Sequence, residues 1–306
     1  MNFDEAGVIS ALARIFGVQQ PGVEIGIGDD GAVVTTSDKT VVTTDIAIEG
    51  THFSTQWSSA FEIGRKVAAA NLADVFAMGG LPRYLVAAVT LTGDESMEWI
   101  EELAEGIAHE AASCGAYVVG GDLAKGPCKV IAITAIGQTN HSITRSGAQV
   151  GDSIYISSLP GWSAAGLEII EKDLDGDLVA HAISEFCAPT VDYASAIDFS
   201  NAKAHSLCDI SDAFIIQAEQ MAQASSVAFS IDQELISMHP EFDSLNELAE
   251  SIGVDVWQWI FGGGEDHVFL ATGKDLDGYK IGTVVEGKGV LGVDMKKAPD
   301  TWRHFN

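Results

Sequence analysis

Short apolar stretches that end at an aspartate recur along this chain, and they limit its possible folds more than any other feature. Three such stretches are "VVTTD", "VVGGD" and "SLCDISD", and a related glycine-flanked acidic pair stands in "GIGDD". Their apolar and β-branched residues predict strands, while the segments between them place apolar residues at helical spacing. Strands and helices mixed through both halves predict an α/β or α+β protein.

The hydrophobic pattern also predicts where single elements lie. Helices are expected near residues 2–16, 60–78, 95–115, 164–171 and 212–224, and strands near 41–48, 83–92, 116–122, 129–137, 151–158, 227–231 and 267–271. Asn2 is expected to cap the first helix. The stretch "GDSIYISS" opens the second half, so we expect a boundary near Gly147, with an N-terminal domain of residues 1–147 and a C-terminal domain of residues 148–306.

Charge is strongly unbalanced, with 44 acidic and 16 basic residues and a formal net charge of -28. A protein that binds nucleic acid electrostatically needs lysine and arginine to displace counterions, so we expect no nucleic-acid partner. The same negative field repels anionic lipids and anionic substrates unless divalent cations neutralise it. No run reaches the ~18 apolar residues of a membrane span. We therefore expect no membrane partner.

Cysteine usage and the first residues indicate a compartment. The four cysteines form no CxxC pair, which favours reduced thiols. The opening "MNFDEAGVIS" has neither a basic region nor a long apolar region, so no signal peptide is expected. These features predict a cytoplasmic protein.

The recurring aspartates are candidate metal ligands, and Asp74 adds a carboxylate inside the apolar helical pattern "AAANLADVFAM". Each aspartate alone could equally be a helix cap or a turn former. If several converge, their mutual repulsion and desolvation require a cation. Carboxylate oxygens suit Mg²⁺, which keeps waters and substrate phosphate oxygens in its shell, and Thr43 and Thr44 could add hydroxyl ligands.

Phosphate binding needs separate signals. A GxxxxGK[ST] loop and a GxGxxG loop are both absent from the sequence. The remaining candidates are Gly120-Gly121-Asp122, Arg145 in "TRSGAQVGD", and "FGGGEDHVFL". Glycine lets backbone approach phosphate closely and arginine offers two parallel donors, but a glycine pair alone is usually a turn.

Taken together, the motifs resemble the thiamine-monophosphate kinase family, which belongs to the superfamily of aminoimidazole ribonucleotide synthetase. The matching motifs run in order from about residue 24 to residue 305: "GIGDDGAVV", "VVTTDIAIEGTHF", "KVAAANLADVFAMGGLP", "VVGGD", "TRSGAQVGD", "CDISDAF", "FGGGEDHVFL" and "TWRHF". The resemblance implies an N-terminal α/β domain that dimerises by forming a β-barrel, a C-terminal α/β domain, and a homodimer. It also implies ATP-dependent phosphorylation of thiamine monophosphate to thiamine diphosphate with several Mg²⁺ ions.

The resemblance further implies roles for single residues. The metal ligands would be Asp30, Thr43, Thr44, Asp45, Asp74, Asp122, Asp209 and Asp212. The ATP-binding residues would be Gly121, Asp122, Arg145 and Ser211. The thiamine substrate would contact His52, Glu265 and Trp302. Catalysis would depend on Asp45, Asp74 and Asp209 through Mg²⁺ and on Arg145, because phosphoryl transfer needs positioning and charge neutralisation more than covalent chemistry.

Three departures from the family pattern are visible. "DISDAF" places Ala213 where the family usually has glycine, so any need for positive φ there would be strained. His267 stands where tyrosine is common, and "FCAPTVDY" replaces a segment that contains arginine. Two alternatives therefore stay open: an enzyme of the same superfamily with another substrate, and a non-catalytic protein that binds nucleotide or thiamine phosphate.

Overall fold

The computed structural model describes residues 5–17, 20–27, 31–36, 39–174 and 176–293. Its backbone divides into two compact units, one of Met1–Val75 with Gly80–Asn140 and the other of Phe76–Gly79 with His141–Asn306. Strands and helices alternate in both units, which confirms the mixed α/β class. The domain boundary at residue 147 stays a prediction.

The first unit is a four-stranded sheet with helices on one face. Its elements in chain order are α1 (Glu5–Phe16), β1 (Val23–Ile25), β2 (Val33–Val34), β3 (Thr40–Ile48), α2 (Ala60–Ala77), β4 (Leu81–Leu91), α3 (Met97–Ser113), β5 (Tyr117–Lys125) and β6 (Val130–Gln138). The strand order is β3-β6-β4-β5, and β1 pairs separately with β2. Only the β4–β5 pair of the larger sheet is parallel. The described sheet is open, with β3 and β5 at its edges.

Alternation along β6 separates the two faces of this sheet. Ile131, Ile133 and Ala135 are fully buried, whereas the residues between them are partly exposed. Thr43 and Asp45 pair with Ala135 and Ile133 and so lie on the same face, although Thr43 is only partly buried and Asp45 is exposed. Helix α2 lies on this face, since its side chains bond to β3. The opposite face is open to solvent.

Helices α2 and α3 cross at two glycines. A Cβ atom on Gly64 would overlap the carbonyl oxygen of Leu103, and one on Gly106 would overlap that of Phe61. Close approach of the two backbones therefore requires both glycines. Beside the crossing, Arg65 Nε donates to Glu110 Oε2 at 3.0 Å.

The second unit contains a six-stranded sheet in the order β12-β9-β11-β7-β10-β8. Its elements are β7 (Ser153–Ile156), α4 (Trp162–Lys172), α5 (Asp177–Cys187), α6 (Tyr193–Asn201), β8 (Ser206–Ile210), α7 (Phe214–Ser225), β9 (Ala228–Ile231), α8 (Gln233–Ser237), α9 (Phe242–Ile252), α10 (Val256–Gly262), β10 (Val268–Gly273), β11 (Tyr279–Val285) and β12 (Gly289–Leu291). A large core built around Phe214, Phe229, Phe261 and Leu270 joins the sheet to its helices.

The sequence predicted the long elements and missed several short ones. The helices expected at 60–78, 95–115, 164–171 and 212–224 are confirmed as α2, α3, α4 and α7. Helices α5, α6, α8, α9 and α10 were not predicted, because they are only 5 to 11 residues long and give weak periodicity. Asn2, the expected cap, lies outside the described residues. Within the described ranges, every helix is too short or too polar to cross a membrane.

We predict that Gly64→Ala destabilises the protein by about 1–3 kcal/mol, because the added methyl group overpacks the crossing of α2 and α3. Urea denaturation measures this change. Gly120→Ala is the matched control, since a Cβ atom there meets nothing within 4 Å. Equal stability of Gly64→Ala and wild type would contradict the close crossing.

Candidate functional site

The predicted site residues fall into two groups, one in each unit. Thr43, Thr44 and Asp45 lie on β3, Asp74 lies on α2, and Gly121 and Asp122 lie on β5, while His52 follows β3. The second unit contains Arg145, Asp209, Ser211, Asp212 and Glu265. Asp30 and Trp302 lie outside the described residues.

Strand β3 and helix α2 meet through two polar contacts. Thr43 Oγ1 donates to Asp74 Oδ2 at 2.6 Å, and the Asp45 N–H donates to Asn71 Oδ1 at 3.0 Å. Asn71 Nδ2 in turn donates to the Val67 carbonyl at 2.9 Å. Asn71 was not among the predicted site residues. Its position in an apolar helical pattern could have indicated a buried amide that needs hydrogen-bond partners. We call Thr43, Asp45, Asn71 and Asp74 the β3–α2 cluster.

Thr44 lies apart from this cluster. Successive side chains of a strand point to opposite faces, so Thr44 is on the other face from Thr43 and Asp45. Its hydroxyl donates to the Ile133 carbonyl at 3.0 Å and accepts from Thr134 Oγ1 at 3.2 Å. Within this unit, the Thr44 hydroxyl is therefore directed away from Asp74.

Asp122 lies at the opposite edge of the sheet from Asp45. Asp45 occupies the row of Ile133, Ala87 and Gly121, whereas Asp122 occupies the next row. Three strand spacings, roughly 14 Å along the sheet, separate β3 from β5. The two carboxylates of one chain cannot share an ion at a metal–oxygen distance of about 2 Å. Accordingly, within the described ranges no three His, Cys, Asp or Glu side chains form a group that could hold a metal.

A cavity of about 130 Å³ lies in the first unit beside Gly121 and Asp122. Its walls come from α1, α3, β4 and β5, and most of them are apolar side chains such as Leu12, Leu103 and Ile107. Residues predicted to bind ATP therefore border an apolar cavity. This cavity suits a flat, weakly polar group better than a charged one.

His52 sits in a tight turn after β3. Its backbone N–H donates to the Ile48 carbonyl at 2.9 Å, and its Nδ1 accepts from the Ile48 N–H at 3.1 Å. An Nδ1 that accepts a hydrogen bond carries no proton, so the neutral ring has its proton on Nε2. The hydrogen bond from Ile48 thus fixes the orientation of the His52 ring.

In the second unit, Asp209 is buried on β8 and bonded to His267. Asp209 Oδ2 and His267 Nδ1 are 3.0 Å apart, and the two residues are only 2% and 6% exposed. The histidine that departs from the family pattern therefore contacts a predicted metal ligand. Such a contact orients a carboxylate and leaves its other oxygen for a ligand.

The loop before β10 is held against the loop after β8. The Glu265 N–H donates to the Ser211 carbonyl at 2.7 Å, and the His267 N–H donates to the Ile210 carbonyl at 3.1 Å. Glu265 and His267 have φ values of 65° and 51°, which are strained for residues with side chains. Predicted ATP and substrate residues are thus joined by direct backbone bonds.

Ala213 causes no backbone strain. Its φ of -171° is extended, its side chain is fully buried, and its N–H donates to Gln217 Oε1 at 3.1 Å. Positive φ is not needed at this position, so alanine fits where the family usually has glycine.

Arg145 lies next to β8. Its side chain lies close enough to the thiol of Cys208, which adjoins Asp209, to influence the pKa of that thiol. Burial raises the pKa of Cys208, Asp209 raises it further, and Arg145 acts in the opposite direction. Arg145 and Asp209, both predicted site residues, are therefore neighbours.

The segment "FCAPTVDY" ends helix α5 and contributes no cation. Thr190 donates through its N–H and its hydroxyl to Glu185, both at 2.8 Å, and Cys187 is buried. The Glu185 carboxylate therefore accepts the hydrogen bonds that hold the chain after α5, and the segment carries no positive charge.

Asp266 fixes the start of helix α4. Its two carboxylate oxygens accept from the Gly161 and Ser163 N–H groups, both at 2.9 Å. Burial raises the pKa of Asp266 to about 6, although these two donors lower it. Asp266 therefore anchors the loop that carries Glu265 and His267.

Comparison with known proteins gives consistent matches. Residues 28–139 match the family described as AIR synthase related protein, N-terminal domain. The chain is 35% identical over 295 residues to thiamine-monophosphate kinase of Corynebacterium glutamicum, covering 91% of this chain and 88% of the relative.

Two solved structures resemble nearly the whole chain. Thiamine-monophosphate kinase from Stenotrophomonas maltophilia K279a has a TM-score of 0.79 and 28% identity, covering 92% of this chain and 93% of its own. AaThiL complexed with AMPPCP and TMP has a TM-score of 0.78 and 28% identity, covering 98% and 97%.

We predict that Asp266 makes stability depend on pH. Because its pKa in the folded state is raised from 3.8 to about 6, its contribution to stability is full below pH 3.8 and is lost as the pH rises through 6. Between pH 4 and pH 7 the wild type should lose up to about 3 kcal/mol relative to Asp266→Asn. Denaturant unfolding of both proteins at each pH measures this difference. A constant difference across the range would contradict the prediction.

Proposed function

Because this chain belongs to the thiamine-monophosphate kinase family, we propose that it transfers the γ-phosphate of ATP to thiamine monophosphate, giving ADP and thiamine diphosphate. The main support is identity of 35% to a kinase of that name, of which this chain covers 88%. A solved relative that matches 98% of this chain is a complex with AMPPCP and TMP. Both likenesses include the elements that carry the predicted site residues.

We propose Mg²⁺ as the cofactor. The candidate ligands are Asp30, Thr43, Thr44, Asp45, Asp74, Asp122, Asp209 and Asp212. Thr44 and Asp122 lie apart from Asp45 and Asp74 within one chain and cannot join the same ion. The donor set fits, because it consists of carboxylate and hydroxyl oxygens, and Mg²⁺ typically uses one or two carboxylates with waters and phosphates. When bound, Mg²⁺ neutralises the phosphate charge that otherwise keeps donor and acceptor apart.

Within the β3–α2 cluster, each residue has a defined task. The Thr43 hydroxyl orients the Asp74 carboxylate, and Asn71 fixes the backbone of Asp45. The Asp74 carboxylate and the backbone of Asp45 are thereby held in place before any ligand arrives, which lowers the ordering cost of binding. No general base is required, because the acceptor is already an anionic phosphate oxygen.

We propose that the nucleotide is ATP. Gly121, Asp122, Arg145 and Ser211 would contact ATP. The cavity beside Gly121 would take the adenine, since its apolar walls suit a flat base and exclude water. Arg145 would place paired donors on phosphate oxygens.

The thiamine substrate would contact three residues. His52 would contact the substrate through its ring, whose orientation is held by the bond from the Ile48 N–H to Nδ1. Glu265 would complement the positive charge or an amine of thiamine, and Trp302 would stack on the cationic thiazolium ring.

We propose a homodimer that forms through the open face of the first-unit sheet. Val42 and Ile46 on β3 are 64% and 55% exposed, and Leu81 on β4 is 53% exposed. Contiguous exposed apolar residues of this kind mark an interface. A second copy packing on this face would close the two sheets into the barrel that the sequence predicted.

The cytoplasm is the proposed compartment. All four cysteines are thiols rather than disulfides, which is the usual state in a reducing environment.

A product assay tests the proposed reaction. Purified protein with ATP, Mg²⁺ and thiamine monophosphate should give equal amounts of ADP and thiamine diphosphate, and EDTA should stop product formation. Saturable binding of both ligands without product would instead support a non-catalytic binding protein. Phosphorylation of a different acceptor would support another enzyme of the superfamily.

We predict that Asp74→Asn lowers kcat at least about 100-fold while changing stability little, because it removes charge stabilisation of the transferred phosphate. Turnover and urea denaturation are measured on the same preparation. Asp198→Asn, an exposed aspartate of α6, is the control and should keep full activity. Parallel losses of stability and turnover in Asp74→Asn would show a purely structural residue.

We predict that Ile46→Lys yields a monomer, because it places a charge in the proposed interface. Light scattering should give twice the chain mass of 32.2 kDa for wild type and one chain mass for the variant. Met238→Lys is the control, since Met238 is 78% exposed in the second unit. A monomeric wild type would refute the dimer.

A further inference from the structure

Lys129 ties together three acidic or aromatic side chains beside the turn that carries His52. Its Nζ lies 3.1 and 3.0 Å from the two carboxylate oxygens of Glu49, and 3.6 Å from Glu95 Oε1. The ammonium also lies 5.7 Å from the centre of the Trp99 ring. The Lys129 side chain is only 15% exposed. A lysine so enclosed is held in one geometry rather than solvated.

Both acidic partners of Lys129 are carboxylates at neutral pH. Burial acts to raise the pKa of Glu95, but donors from Thr92 and Gly93 lower it to about 2. Burial likewise acts to raise the pKa of Glu49, yet hydrogen bonds from Thr55 and Lys129 leave it lowered. The charge of Lys129 is therefore balanced by two fixed anions.

Glu49 closes the turn of residues 49–55, which we call the His52 loop. Its N–H donates to the Lys129 carbonyl at 3.0 Å, and its Oε1 accepts from Thr55 Oγ1 at 2.8 Å. Within the loop, the Gly50 N–H donates to the Phe53 carbonyl at 2.8 Å, and Phe53 is buried. The Glu49 carboxylate thus connects Thr55, at the end of the loop, with Lys129, the residue before strand β6.

The orientation of His52 depends on this closed loop. The Ile48 N–H reaches His52 Nδ1 only because the chain turns back after β3. The turn is held at Glu49 on one side and at Phe53 on the other. Without the contacts of Glu49 the loop would no longer be held closed. The hydrogen bond from the Ile48 N–H to His52 Nδ1 would then be lost, and the His52 ring would no longer be held in one orientation.

We propose that Lys129 and Glu49 are positioning residues, which hold the His52 loop in the geometry that lets the Ile48 N–H donate to His52 Nδ1 and thereby orient His52 for the thiamine substrate. The inference rests on the proposed role of His52 in binding that substrate. Neither Lys129 nor Glu49 touches substrate in this account. Their effect should therefore appear in thiamine-monophosphate binding and not in ATP binding.

Lys129→Met tests this proposal, with Lys129→Arg as the conservative variant. Calorimetry measures the dissociation constants of thiamine monophosphate and of AMPPCP, each with Mg²⁺. Lys129→Met should weaken thiamine monophosphate about tenfold or more and AMPPCP less than about twofold, because only the substrate loop is displaced. Lys129→Arg should restore most of the affinity. Equal weakening of both ligands, or none, would overturn the proposal.

Arg65→Met provides the matched control, because it breaks the comparable ion pair with Glu110. It should lower stability and leave the ratio of the two dissociation constants unchanged. If Arg65→Met shifts that ratio as Lys129→Met does, the effect is general destabilisation and the proposal fails.

A double-mutant cycle with His52→Ala gives a second test. If Lys129 acts through His52, Lys129→Met should weaken thiamine-monophosphate binding much less in the His52→Ala background than in wild type. Additive losses would contradict a role through His52. Binding without turnover by wild type would refute the proposed reaction while leaving this test intact. Absence of thiamine-monophosphate binding by wild type would overturn both.

Discussion

The contact between β3 and α2 is the constraint on which the first unit depends. Asn71 is fully buried, and a buried amide must find partners for both its oxygen and its nitrogen. Its nitrogen donates to the Val67 carbonyl within α2, and its oxygen accepts from the Asp45 N–H of β3. The second bond fixes the position of α2 against the sheet. Asp74, one turn later on the same helix, then meets Thr43. A structural amide thereby determines where a functional carboxylate lies.

The second unit reaches a similar result through backbone pairing. Strand β10 pairs with β8 in antiparallel register, and the bonds from Glu265 and His267 extend this pairing into the preceding loop. As a result, the Asp209 carboxylate contacts the His267 ring, and the Ser211 carbonyl accepts a hydrogen bond from Glu265. The positive φ values of Glu265 and His267 are compatible with folding because these bonds and buried Asp266 hold the loop.

Local pattern was sufficient for the long elements. It placed the aspartates at strand ends, whereas Asp45 lies in the middle of β3 and β5 continues to Lys125 beyond Asp122. The helix over 60–77 was predictable from its apolar spacing and from Gly79 and Gly80 at its end. Thr43 and Thr44 were both predicted to provide hydroxyl ligands. Because side chains alternate between the two faces of a strand, their hydroxyls lie on opposite faces of the sheet. Long-range partners could not be predicted, since nothing local indicates that Glu49 meets Lys129, 80 residues later. The same holds for Asn71 and Asp45, whose contact depends on how α2 packs.

We propose that the β3–α2 cluster holds a divalent cation together with nucleotide phosphate. The most direct measurement is the number of Mn²⁺ ions bound per chain in the presence of AMPPCP, determined by electron paramagnetic resonance for wild type and Asp74→Asn. We expect Asp74→Asn to bind at least one ion fewer than wild type while remaining folded. Equal numbers of bound ions in the two proteins would contradict it.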